Sequence, residues 1–149
     1  MSRKLYEKDT DIENETRVLR ALEQHWHPVS ITKLPKKYVL DAHANFGVHH
    51  AFLEIKCRSV ASTTFDTYMI GLRKVLEGVQ HAGVLPNGTF LLVVEWTDGL
   101  YYCDMQEALP HCRMDFGGRK DRDDREDTEP VVLVPVSRFV KIDVDRTAQ

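Results

Sequence analysis

The chain lacks most of the features that would place it quickly. No apolar run approaches the roughly 20 residues needed to cross a bilayer, so no membrane partner is expected. Its three cysteines, Cys57, Cys103 and Cys112, form no C-x-x-C pair. Their odd number argues against a disulfide framework, and they read as reduced thiols. There is no glycine-rich phosphate loop, no serine-centred elbow, and no helix-turn-helix or zinc-finger signature. Positive charge is not in excess either. A formal net charge of −3 withholds the overall electrostatic support that nucleic-acid-binding domains usually carry. The polar opening MSRKLYEKDTDIENE has no apolar core of a secretory signal, so the expectation is a cytoplasmic protein.

What is present reads as one soluble domain over residues 1–149, with 42% hydrophobic and 29% charged residues and length enough for a real core. Ile12, Val18, Leu19, Leu22 and Trp26 recur at helical spacing and predict a helix over 11–26, closed by His27-Pro28. Strand-like pieces follow at 29–34, 38–42 and 50–56, divided by Pro35 and the turn Asn45-Phe46-Gly47. Tyr68, Leu72, Val75, Leu76 and Val79 predict a second helix over 65–81. Thr89–Trp96, TFLLVVEW, is the most apolar run and reads as a buried central strand. A turn at 97–99 leads to a hairpin partner at 100–103. Residues 113–129, dense in charge of both signs, read as a surface loop, and 131–136 as a last strand.

The most informative segment is YVLDAHANFGVHHAFLEIKCR, residues 38–58. Asp41 stands thirteen residues before Glu54, and Glu54-Ile55-Lys56 is the sole acid-x-lysine triplet in the chain. Strand alternation places Glu54 and Lys56 on one face, with Leu53 and Ile55 on the other. Two acids and a lysine at adjacent strand ends make a divalent-cation site with an ammonium beside it. Those are the parts needed for metal-assisted phosphodiester cleavage. Glu15 adds to this. At 100° per residue it falls in the middle of the first helix's apolar stripe, where an unpartnered carboxylate is costly.

This arrangement resembles the PD-(D/E)xK nuclease superfamily across residues 11 to 96, with Leu40 standing where many members have a proline before the aspartate. The resemblance implies an α/β fold: a restriction-endonuclease-like mixed central β-sheet flanked by helices, in the core order helix-strand-strand-strand-helix-strand. It implies a metal-dependent DNA endonuclease, with Mg2+ as cofactor and Mn2+ as a substitute. Asp41, Glu54 and the Ile55 carbonyl would hold the metal, and Glu15, Asp41, Glu54 and Lys56 would be the catalytic set. Lys56 would orient or deprotonate the attacking water or stabilise the transition state. Lys36, Lys37, Arg58, Arg73 and Lys74 are the candidate contacts to DNA phosphates, and a homodimer is a candidate assembly.

Other readings stand beside this one. Glu54 and Lys56 would also suit the solvated face of an edge strand, and Glu15 the wet first turn of a helix. His43, His49 and His50 raise a zinc site with Asp41, although adjacent His49 and His50 point to opposite faces of a strand. A nuclease fold that has lost catalysis would serve as a nucleic-acid-binding or protein-interaction module.

Overall fold

The computed structural model describes residues 9–118 and 128–143. The first helix, α1 (Asp9–Trp26), is amphipathic as its spacing requires, burying Val18, Leu19 and Leu22. It stops where His27 takes a left-handed φ of 50°, and Pro28 cannot continue the hydrogen-bond ladder. Eight further elements build the framework: β1 (Ser30–Lys33), β2 (Ala42–Asn45), β3 (His50–Cys57), β4 (Thr67–Gly71), α2 (Leu72–Gly83), β5 (Gly88–Trp96), β6 (Gly99–Asp104) and the one-turn helix α3 (Met105–Ala108). The strands β7 (Arg113–Gly118), β8 (Thr128–Pro135) and β9 (Val140–Ile142) follow.

Six strands form a mixed sheet in the order β1-β2-β3-β5-β6-β9, and β4-β8-β7 form a second, antiparallel sheet. Only β3 and β5 run parallel within the large sheet, joined by a crossover that contains β4 and α2. Alternation along β5 explains its unbroken apolar sequence. Leu91 and Val93 face α1, together with Leu53, Ile55, Val18 and Leu22. Phe90, Leu92, Val94 and Trp96 face α2 and the small sheet, with Val75, Ala82, Tyr68 and Val134. A strand covered on both sides has no polar face to show. This is the expected α/β architecture, a mixed sheet between helices, and the expected core order is preserved with β4 inserted before α2. Among the described residues, no helix is long and apolar enough to cross a membrane.

Three expectations need correction. Residues 38–42 do not form a strand: Tyr38 N–H donates to Pro35 O in a turn, and strand pairing starts at Ala42. The helix expected over 65–81 begins only at Leu72. Thr67–Gly71 is instead a strand on β8, and Tyr68 reaches the core from there. Its β-branched and aromatic residues take the pairing that β8 offers, and tertiary pairing outweighs a helical period. Leu76, counted in the apolar stripe, is exposed. In the charged stretch 113–129, Arg113–Gly118 pairs with β8, and Thr128 and Glu129 belong to β8 itself; 119–127 lies outside the described residues.

One close approach fixes how α2 hands the chain to β5. A Cβ on Gly88 would lie 2.0 Å from the carbonyl oxygen of Ala82. The obstacle is backbone and cannot rotate away. Gly88→Ala should therefore destabilise the protein by about 3 kcal/mol, at the upper end of overpacking costs. Urea denaturation of the two proteins checks it; equal midpoints would mean that the loop gives way.

Candidate active site

The site grows from the β2–β3 register. Ala42 pairs with Leu53, so one step further Asp41 lies opposite Glu54. Asp41 N–H donates to Leu53 O at 3.0 Å, and Ile55 N–H donates to Asp41 Oδ2 at 2.7 Å. The aspartate is thus locked to β3 by its main chain and its carboxylate together. Leu40 is 1% exposed and fixes the preceding residue by burial, where many superfamily members have proline.

Among the described residues, Glu54 is the one charged side chain that is buried. It is 3% exposed, and its Oε1 is buried with no hydrogen-bond partner. Burial, then the adjacent Asp41 carboxylate, pushes its pKa up to about 7, although Lys56 and Lys74 pull the other way. Two ammonium groups flank it: Lys56 Nζ is 3.5 Å from Oε2, and Lys74 Nζ is 3.6 Å from Oε1. Lys56 is half-exposed at the mouth of the site. Lys74 is largely buried and also donates to Val39 O.

These groups open into a cleft of about 560 Å³ between α1, the 34–41 loop, the end of β3 and the start of α2. Every residue singled out for the site lines it: Glu15, Asp41, Glu54, Ile55 and Lys56, and the basic Lys36, Lys37, Arg58, Arg73 and Lys74. With Lys33, seven Lys and Arg face five acids, Asp11, Glu15, Asp41, Glu54 and Glu77. The cleft is therefore net positive in a chain that is net negative. Arg58 is held in place, donating to Tyr68 Oη at 2.8 Å with its guanidinium 5.2 Å from the ring centre.

Two side chains of the cleft have partners of their own. Glu15 reaches the cleft, where Lys33 Nζ is 3.7 Å from its Oε2. It does not close a three-carboxylate cluster: among the described residues, no three His, Cys, Asp or Glu side chains gather tightly enough to hold a metal. Nor do the histidines gather with Asp41 into a group of three ligands. His43 pairs instead with His50, Nε2 to Nδ1 at 3.0 Å, and His49 stacks on Phe46. Burial, then the neighbouring His50, lowers the pKa of His43. The other is Lys74, expected among the phosphate contacts, whose ammonium lies 3.6 Å from Glu54 Oε1. The sequence carried a signal for it, since Lys74 shares a helix face with the buried Gly78 and Ala82 at four-residue spacing.

The donor set suits a hard divalent cation. Glu54, buried beside the Asp41 carboxylate and the Ile55 carbonyl of the same strand, offers the oxygen donors that such an ion prefers.

The sequence matches, over residues 1–142, the family described as "Phage putative PDDEXK endonuclease". This chain belongs to that family of PD-(D/E)xK endonucleases. No curated protein matches it significantly. Among solved structures it is similar to Hjc, a Holliday junction resolvase from the archaeal hyperthermophile Archaeoglobus fulgidus. The two share 12% identity at a TM-score of 0.57, covering 87% of this chain and 94% of the resolvase. At that identity the likeness speaks for the fold, and it is the nuclease fold implied by the Asp41/Glu54/Lys56 spacing.

Proposed function

We propose that the protein is a metal-dependent DNA endonuclease whose site is Asp41, Glu54 and Lys56. The observation that carries this reading is Asp41 beside the buried Glu54 carboxylate, at the base of a net-positive cleft in a PD-(D/E)xK family member. Asp41, Glu54 and the Ile55 carbonyl would hold Mg2+ or Mn2+, which when bound polarises a phosphate oxygen and lowers the pKa of water. The chain's own residues do the rest. Asp41 is oriented by the Ile55 amide, so its carboxylate needs no reorganisation. Lys56, half in solvent and half against Glu54, is placed to orient the attacking water or to meet the charge that grows on the phosphate. Lys36, Lys37, Arg58 and Arg73 are exposed around the cleft and would hold the backbone to either side. Glu15 would act through water.

The test is incubation with linear, circular and four-way branched DNA in Mg2+, Mn2+ or EDTA. Cleavage in either metal and none in EDTA is the expected result. The resolvase likeness makes the branched substrate the first to try. A protein that binds DNA in Ca2+ but leaves every substrate intact in Mn2+ would be a binding module instead. One site cuts one strand at a time, so cutting both strands calls for two. We expect a homodimer, which light scattering on the eluting protein would read as twice the 17.2 kDa chain mass.

A further inference from the structure

The largely buried lysine of α2 stands beside the buried carboxylate of Glu54. Lys74 lies on the face of α2 that carries Gly78 and Ala82, where an apolar side chain would pack without the cost of desolvating an ammonium. Its Nζ stands between two oxygens: it donates to the carbonyl of Val39 and is 3.6 Å from Glu54 Oε1. Both are hard oxygens of the kind that Mg2+ and Mn2+ choose. Oε1 is also the buried oxygen with no hydrogen-bond partner.

We propose that Lys74 is a positioning residue, a resident cation that occupies the α2 side of the carboxylate pair and limits the site to one divalent ion. The inference rests on the reading of Asp41 and Glu54 as metal ligands and adds the stoichiometry. Two-metal sites hold their ions roughly 3.5–4 Å apart on shared carboxylates. Glu54 is the carboxylate that would be shared, and a second ion on its Oε1 would have the Lys74 ammonium, 3.6 Å from that oxygen, as a neighbour. At that range, with water largely excluded, repulsion between a dication and an ammonium is strong enough to shift affinity by orders of magnitude. A lysine suits the role because its charge is compact and its donors rotate. The ion that remains is confined to the Asp41 side, next to Lys56.

Counting bound Mn2+ tests this, using the loss of the free-ion electron paramagnetic resonance signal as metal is titrated into the native protein. Asp41→Ala serves as the blank. The native protein should saturate at one ion per chain. Lys74→Met keeps the length of the side chain without its charge, and it should bind two, as should Lys74→Gln if Lys74→Met fails to fold by circular dichroism. Two ions on the native protein would overturn the proposal whatever the variants do. One ion on a folded Lys74→Met or Lys74→Gln would overturn it as well. A native protein that binds no Mn2+ and cuts no DNA would instead sink the reading of the site on which this rests.

Discussion

Lys56→Ala is expected to lose DNA cleavage by about 100-fold or more, the usual size of one acid–base or electrostatic contribution. Its ammonium is 3.5 Å from Glu54 Oε2 and half in solvent, where it can meet both water and phosphate. Metal affinity should fall little or even rise, because an ammonium is not a ligand and its loss removes a competing charge. DNA binding in Ca2+ should survive. Single-turnover cleavage beside Mn2+ titration separates these effects. Equal loss of cleavage and of metal binding would mean that Lys56 only holds Glu54 in place.

Glu54→Gln should abolish cleavage and yet stabilise the metal-free protein at alkaline pH. A carboxyl whose pKa is raised from 4.5 to about 7 in the folded state binds its proton more tightly there than in the unfolded chain. Its contribution to stability is full below about pH 4.5 and is lost as pH rises through 7. At pH 8 the charged, buried carboxylate therefore costs on the order of 3 kcal/mol. Glutamine imitates the protonated form, so the variant should match the native protein at pH 5 and exceed it by about 2–3 kcal/mol at pH 8. Urea denaturation in EDTA at both pH values reads the difference directly. A variant less stable than native at pH 8 would show that the lysines stabilise the carboxylate more than burial opposes it.

The central machinery was legible in the sequence because it is local. Glu54, Ile55 and Lys56 alternate on one strand, and Asp41 precedes that strand's hairpin partner, so strand geometry alone brings the two acids together. Glu15 was legible as an acid out of place on an apolar helix face, and it does reach the cleft. Its distance from the pair was not legible, because the spacing between a helix and a sheet depends on every side chain packed between them. Thr67–Gly71 misled for a related reason. Those residues fit a helical stripe, but their partner, β8, lies some sixty residues away, and no local period reports it. Lys74 was counted with the surface charges because lysine is seldom buried. Its small helix-face neighbours, Gly78 and Ala82, were the available clue. The positive cleft in an acidic chain was likewise hidden from composition, which averages over the surface that folding sorts.

Leu40 has a wider meaning for how Asp41 is aimed. A proline before the aspartate would stiffen the chain in every state, removing freedom from the unfolded ensemble as much as from the folded one. A leucine anchors it only once the core around it exists. The aim of the carboxylate is then a property of the assembled interior and shares its dependence on temperature and solvent. Substitutions far from the cleft that soften the packing around Leu40 will be felt at Asp41, and the chemistry of this protein is tuned from beneath the sheet as much as from the cleft.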